Sequence, residues 1–160
     1  MALDYQHVIV ATGAQWRGDG VGITNWQPIA GTELAHVVTP EVVFADKPLP
    51  GPIVVFDYDN FYMGALIAEK LKLDGHKVTL VTSAAEVSAW TKNTLEQHRI
   101  QAHILELGID VVTAHNLAGV ANGNLTISCV YSEKEQSLQA NSVVLVTSRT
   151  PDEELYLGLA

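Results

Sequence analysis

The chain has 160 residues and a formal net charge of -9 at pH 7. This length suits a single domain and is sufficient to bury a hydrophobic core. The acidic balance, without a basic stripe, argues against a nucleic-acid partner or an anionic membrane surface. Although 48% of the residues are apolar, no apolar run approaches the roughly 18 residues of a membrane-spanning helix, and the N-terminus lacks the features of a signal peptide. We therefore expect a cytoplasmic protein that does not enter a membrane.

Cysteine and histidine usage gives little sign of metal or redox chemistry. The single cysteine, Cys129, lies in the alternating segment LTISCVY and cannot form an internal disulfide, so a small buried residue is its simplest role. His98 and His103 are five residues apart on a predicted helix, which puts them on different faces. The sequence therefore predicts no metal site.

The first part of the chain has an irregular pattern. The segment HVIVAT, His7 to Thr12, predicts a buried strand. Residues 13–35, rich in Gly and Trp, form a stretch too long for an ordinary connection, so it either wraps another domain or belongs to one. The segment TPEVVFAD then predicts a short helix with Thr39 as N-cap and Pro40 at the first helical position, before a stiff KPLPGP linker.

From Pro52 onward, strand and helix patterns alternate. The runs PIVVFD, KVTLVT and DVVTA predict strands, and the segments 61–74 and 93–107 predict helices that end at Gly75 and Gly108. Continuously apolar strands are typical of a parallel sheet covered on both faces. LTISCVY and SLQA predict an antiparallel hairpin, and SVVLVT a last buried strand. The predicted fold is α/β: a three-layer, Rossmann-like domain with a parallel sheet and a β-hairpin or meander crossover.

Asp57 and Asp59 follow the first of these strands, in the segment FDYDN. A D-x-D at this position is the arrangement of haloacid-dehalogenase-type phosphohydrolases, in which the first carboxylate attacks phosphorus and the second handles the proton of the leaving group. Those enzymes also need a lysine and a distal acidic pair, and they carry a threonine where this chain has Phe61. A phosphohydrolase using Asp57 and Asp59 stays open as an alternative, on a weak signal.

The same segment also resembles a dinucleotide-binding turn, G-x-G-x-x-G, that has lost two glycines. Counted back from Gly64, Asp59 and Phe61 stand where the first two glycines would be. An aspartate carboxylate repels a pyrophosphate, and a phenylalanine fills the space that the phosphates need. The second strand ends in Thr82, without the acidic residue or arginine that would hold a ribose. We therefore predict a degenerate pyridine-nucleotide site, whose remaining contact candidates are Asp59, Tyr62, Met63, Gly64 and Thr82.

The segments FDYDNFYMG and SAWTKNTLEQHRIQ carry a resemblance to a known family. Together with the ATGA turn and the order of the other elements, they resemble the C-terminal region of trimethylamine dehydrogenase and its relatives, the dimethylamine and histamine dehydrogenases and N-methylproline demethylases. More distantly, the chain is similar to 2,4-dienoyl-CoA reductase. The resemblance implies a piece of a longer oxidoreductase with an FMN-carrying TIM barrel, a cysteine-ligated 4Fe-4S cluster and two Rossmann-like domains. Residues 47–143 would be the NAD(P)-binding-like domain, and residues 1–46 and 144–160 would belong to the FAD-like domain.

The resemblance also implies a role. Such enzymes pass electrons from an amine through FMN and the cluster to a separate acceptor, which can be an electron-transfer flavoprotein, without NAD(P). The chain would then be a structural and interdomain module with no catalytic residue or cofactor of its own, in contact with the TIM barrel and the FAD-like half of its own polypeptide. ADP or another adenine nucleotide would lie mainly in the FAD-like half and reach only Thr12, Gly13, Ala14 and Arg149. A competent NAD(P)H-binding domain, as in the dienoyl reductases, is the other alternative.

Overall fold

The computed structural model describes residues 6–23 and 25–159. Ten strands occur in this part of the chain: β1 Ala14–Trp16, β2 Val37–Val38, β3 Ile53–Asp57, β4 Val78–Thr82, β5 Asp110–Val112, β6 His115–Ala121, β7 Asn124–Cys129, β8 Glu135–Gln139, β9 Ser142–Val146 and β10 Arg149–Pro151. The helices are α1 Pro40–Phe44, α2 Met63–Leu73, a 3-10 helix Ala89–Thr94, α3 Gln97–Glu106 and α4 Glu154–Leu159. None of the described helices is long and apolar enough to cross a membrane.

A five-stranded parallel sheet forms the centre of the molecule, in the order β2-β9-β3-β4-β5. Strand β3 lies between β9 and β4, so that Phe56 pairs with Leu145 on one side and Val81 on the other. All five residues of β3 and all five of β9 are buried. This burial on both faces explains why both strands are continuously apolar.

Two different layers cover the sheet. Helices α1, α2 and α3 pack on one face, and the antiparallel meander β6-β7-β8 packs on the other. The helical side of the core includes Val55, Leu80, Val144, Ile67 and Ile104. The meander side includes Val54, Phe56, Leu145, Leu125 and Ile127. The three-layer, Rossmann-like α/β fold predicted from the sequence is therefore confirmed.

Local signals placed several elements correctly. Helix α1 begins at Pro40 with Thr39 at the N-cap position, and α2 is followed by Gly75 with φ +91°. The β7–β8 hairpin is confirmed, whereas β6 was not predicted. Its register shifts between Leu117 and Gly119, and this irregularity breaks the alternation that marks a strand.

The predicted strand at His7 to Thr12 is wrong. These residues are irregular, and Val8 and Ile9 are 68% and 93% exposed. An apolar run becomes a strand only when a neighbouring strand satisfies its backbone. Within residues 6–23 and 25–159 it has no such neighbour, and pairing starts only at β1, which forms a two-stranded ribbon with β10.

Two further predictions need correction. The helix predicted from Asn93 is interrupted, because Leu95 has φ +62° and is 93% exposed, so that α3 begins only at Gln97. Cys129 is partly exposed and not buried. Cys129 is the last residue of β7, and hydrogen bonds from the Ser132 side chain and from the Tyr131 and Ser132 backbone lower the pKa of its thiol.

Candidate functional site

The connection between β3 and α2, residues 58–62, lies at the carboxyl end of the sheet, and Asn60 is its centre. Asn60 has φ +56°, a left-handed conformation that asparagine tolerates better than most residues. Its side-chain amide donates to Tyr58 O at 3.0 Å, and its Oδ1 accepts from Thr82 Oγ1 at 2.8 Å. Because Tyr58 follows β3 and Thr82 ends β4, these two hydrogen bonds connect the loop to the ends of two neighbouring strands.

Three successive backbone N–H groups of this loop have acceptors within the protein. Those of Tyr58 and Asp59 both donate to Val146 O, at 2.8 and 3.1 Å. That of Asn60 donates to Asp57 Oδ1 at 2.9 Å. In a phosphate-binding turn, backbone N–H groups point at the ligand. Here these three are used to hold the loop against the ends of β3 and β9.

Asp57 lies beneath the loop and is completely buried. Burial raises the pKa of its carboxyl group to about 7, against the opposing effect of the Asn60 N–H, and the charge of Asp59 adds to the rise. Its Oδ2 has no hydrogen-bond partner, and Gly64 in the first turn of α2 packs directly against the carboxyl group. A nucleophilic carboxylate must be ionised and reach its substrate. This environment does not favour the phosphohydrolase alternative.

Asp59 and Arg149 connect the loop to the β1–β10 ribbon. Arg149 Nη2 is 3.6 Å from Asp59 Oδ1, and the guanidinium lies 4.2 Å from the ring centroid of Trp16, its register partner in the ribbon. Burial raises the pKa of Asp59, while the charge of Arg149 acts in the opposite direction. Residues from three parts of the chain therefore meet at this edge of the sheet.

Tyr62 closes the other side of the loop. Its hydroxyl donates to the Glu96 carboxylate and shares a hydrogen bond of 2.9 Å with Thr94 Oγ1. The bond from Tyr62, followed by that from Thr94, holds the pKa of Glu96 below its ordinary value. The Phe61 and Tyr62 rings contact each other edge to face, with centroids 5.2 Å apart. The aromatic pair is thus anchored to the segment that precedes α3.

The predicted site residues fall into two groups. Asp59 and Tyr62 belong to the loop, Met63 and Gly64 open α2, and the buried Thr82 hydroxyl contacts Asn60 and the Ala84 N–H. The second group, Thr12, Gly13 and Ala14, lies along the ribbon, where Thr12 Oγ1 donates to Asp152 O and Gly13 O accepts from the Asp152 N–H at 3.0 Å. The ion pair between Asp59 and Arg149 joins the two groups.

Sequence reasoning missed two residues that organise the site, Asn60 and Trp16. The dipeptide Asp59-Asn60 directly after a strand is a turn signal that could have identified the first. Trp16 carried no such signal, because its contact with Arg149 depends on ribbon pairing. Among the described residues, no group of three or more His, Cys, Asp or Glu side chains could hold a metal ion.

Comparisons with known proteins agree on one family. Residues 38–150 match the family model of the OYE-like second alpha/beta domain. The chain is 31% identical to dimethylamine dehydrogenase from Hyphomicrobium sp. (strain x), over 95% of this chain and 23% of that protein.

Two solved structures are similar over nearly the whole chain. The 6-hydroxypseudooxynicotine amine oxidase HisD from Pseudomonas geniculata N1 superimposes with a TM-score of 0.92 at 41% identity, covering 96% of this chain and 23% of that one. Histamine dehydrogenase from Rhizobium sp. 4-9 gives a TM-score of 0.87 at 38% identity, covering 93% and 24%. The chain thus spans about a quarter of the length of these relatives. It belongs to the family of OYE-like second alpha/beta domains and is homologous to the corresponding region of dimethylamine dehydrogenase, histamine dehydrogenase and HisD.

Proposed function

We propose that this chain is the nucleotide-domain-like module of a flavin-dependent amine dehydrogenase or demethylase, and that it serves a structural and interdomain role without a competent pyridine-nucleotide site. The observation that carries the proposal is the use of the Tyr58, Asp59 and Asn60 N–H groups by Val146 O and Asp57 Oδ1. A pyrophosphate would have to compete with these acceptors for its donors.

The other residues of the loop also fit a pyridine dinucleotide poorly. Asp59 brings a carboxylate to the sequence position of a phosphate-facing glycine, and its side chain is only 22% exposed. The repulsion between a carboxylate and a neighbouring phosphate is stronger in such a partly buried setting than in water. The Thr82 hydroxyl, at the end of the second strand, is buried and bonded to Asn60. We therefore propose no role for these residues in a hydride transfer.

The names of the relatives support an amine-oxidising parent. Dimethylamine dehydrogenase, histamine dehydrogenase and the HisD amine oxidase all act on amines, and the chain matches less than a quarter of each. We place the FMN and the 4Fe-4S cluster in the remaining parts of such a parent, together with the residues that choose the amine. An electron-transfer flavoprotein is the proposed acceptor, and the cytoplasm the proposed location.

Exposed apolar side chains support the interdomain role. Those in the segments that flank the Rossmann-like core include Val8, Ile9, Trp26, Leu155, Tyr156, Leu157 and Leu159, while others such as Leu66, Trp90 and Tyr131 lie within residues 47–143. Leu155, Tyr156, Leu157 and Leu159 are clustered on the short helix α4, and clustered exposed apolar side chains mark contact surfaces. We assign residues 1–46 and 144–160 to an FAD-like half that continues elsewhere in the parent, residues 47–143 to the NAD(P)-binding-like domain, and the TIM barrel to a further contact. An adenine nucleotide such as ADP would meet this chain at Thr12, Gly13, Ala14 and Arg149, with its adenosine part and not its phosphates beside Arg149.

Isothermal titration calorimetry with NADH and NADPH tests the proposal. We expect no saturable heat for either nucleotide, because three N–H groups of the loop already have acceptors and the Asp59 carboxylate repels a pyrophosphate. Saturable binding of either one at micromolar concentration would contradict the proposal and favour a dienoyl-reductase-like nucleotide domain. Titration with ADP on the same sample is a separate measurement, since its proposed contacts lie on the ribbon.

A further inference from the structure

The Arg149 guanidinium lies at the edge of the sheet with a loosely held partner. The 3.6 Å between its Nη2 and Asp59 Oδ1 exceeds a hydrogen bond, and the Arg149 side chain is 49% exposed. The neighbouring guanidinium of Arg17, in contrast, is held by two hydrogen bonds from Nε and Nη2 to the Asp19 carboxylate. Arg149 therefore presents donors at the carboxyl edge of the sheet, where α/β folds bind their ligands.

Trp16 fixes the position of this cation. Its ring supports the guanidinium at 4.2 Å, and the ribbon pairing of Trp16 with Arg149 sets the two side chains on the same segment of sheet. A guanidinium stacked on an aromatic ring retains its hydrogen-bonding edge for a planar or tetrahedral anion. Such a preorganised arginine is a suitable contact for a phosphate group.

Asp59 opposes the binding of such an anion. Its side chain is only 22% exposed, and its carboxylate faces the Arg149 guanidinium. A phosphate at Arg149 would lie within a few ångströms of this carboxylate, where repulsion offsets the attraction of the guanidinium. The Asp59 carboxylate therefore occupies the place beside Arg149 that a bound anion would take.

We infer that Asp59 is a specificity-determining residue that excludes phosphate groups from this edge of the sheet. Arg149, stacked on Trp16, is then the cation of a pyrophosphate site, and this site opens when the Asp59 charge is removed. The inference rests on the proposed function, because it explains how the degenerate nucleotide site rejects its former class of ligand. It concerns the diphosphate group alone, since the loop N–H groups remain occupied by Val146 O and Asp57 Oδ1.

The test measures inorganic pyrophosphate binding to the 160-residue chain by calorimetry at fixed low ionic strength. The variants are wild type, Asp59→Asn, the double variant Asp59→Asn with Arg149→Gln, and a charge-matched control, Asp46→Asn. Asp46 pairs with Lys70 near the other end of α2, so its removal changes the net charge equally but leaves the loop intact. Circular dichroism establishes that each variant is folded, and Asp59→Ser replaces Asp59→Asn if the latter fails to fold.

We expect Asp59→Asn to bind pyrophosphate at least about tenfold more tightly than wild type, a difference that calorimetry resolves. Arg149→Gln should abolish the gain, and Asp46→Asn should not produce it. Equal gains in Asp59→Asn and Asp46→Asn would overturn the inference, because net charge alone would explain them. No gain in Asp59→Asn would also overturn it, while leaving the proposed function intact. NADH or NADPH binding by wild type would instead overturn the proposed function.

Discussion

The carboxyl group of Asp57 packs against the backbone of Gly64 so closely that a Cβ at position 64 would lie 2.4 Å from Asp57 Cγ and 2.5 Å from Oδ2. Gly64→Ala should therefore destabilise the protein, because the buried, hydrogen-bonded Asp57 side chain has no room to move away. Overpacking of this kind costs about 1–3 kcal/mol, which exceeds the gain of up to about 1 kcal/mol from replacing a helical glycine. Urea unfolding measures the difference.

Gly158→Ala is the matched control for Gly64→Ala. Gly158 also lies in a helix, α4, and a Cβ there meets nothing within 4 Å. We expect this variant to be as stable as wild type or slightly more stable. Equal stability of the two alanine variants would mean that the contact between Asp57 and Gly64 is not tight.

The buried carboxyl group of Asp57 predicts an unusual pH dependence of stability. Burial raises its folded-state pKa to about 7, above the value of roughly 4 for an unfolded aspartate. The folded protein thus binds more protons in this interval, and the contribution of Asp57 is fully present below pH 4 and is lost as pH rises through 7. The free energy of unfolding should fall by up to about 1.4 kcal/mol for each pH unit within that window.

Asp57→Asn isolates this contribution, because asparagine resembles the protonated acid and its Oδ1 can still accept the Asn60 N–H. The stability of the variant relative to wild type should increase from pH 5 to pH 8, as measured by urea unfolding. Asp59, whose pKa is also raised, remains in both proteins, so the difference between the two curves reports Asp57. Parallel curves would show that Asp57 does not titrate in this interval.

The predicted strands that the structure contains all pair with other strands of the described chain. Strands β3, β4 and β9 are apolar runs that pair with one another, and their pattern was sufficient to locate them. The run from His7 to Thr12 is as apolar but has no described neighbour, and it is not a strand. Composition predicts that a segment prefers burial, whereas pairing decides whether it becomes a strand.

The candidate site was predictable only where the chemistry is local. Gly64 could be recognised as a packing residue from its spacing, and its contact with Asp57 agrees with that role. The approach of Arg149 to Asp59 joins segments far apart in the chain, and it depends on the return of β10 beside β1. Periodicity carries no information on such long-range pairs, so the sequence predicts a degenerate loop but not the ion pair between Asp59 and Arg149.

Asn60 should be the most sensitive polar residue of the loop. Asn60→Ala removes the bonds to Tyr58 O and Thr82 Oγ1 and places an alanine at φ +56°, which should cost about 2–4 kcal/mol. Asn60→Gly keeps the backbone conformation and loses only the side-chain bonds, so we expect about half that loss. Thermal unfolding of Asn60→Gly, Thr82→Val and the double variant would measure the coupling between the two side chains. If the losses of the single variants add up to that of the double variant, the Asn60–Thr82 bond contributes nothing to stability.

Gly31 lies where the irregular N-terminal stretch contacts the meander. It has φ +84°, and a Cβ would lie 1.9 Å from Val120 O, beside the bond from the Val120 N–H to Ala30 O at 2.9 Å. Because backbone atoms oppose the new methyl group, Gly31→Ala should cost about 3 kcal/mol or more, with strain added to overlap. Gly123→Ala is the control, since Gly123 has φ +82° in the β6–β7 turn and open space around it, so it should lose only about 1–2 kcal/mol from strain. Pulse proteolysis in urea compares the two even at low yield, and equal losses would show that the approach of Gly31 to Val120 is not a constraint on the fold.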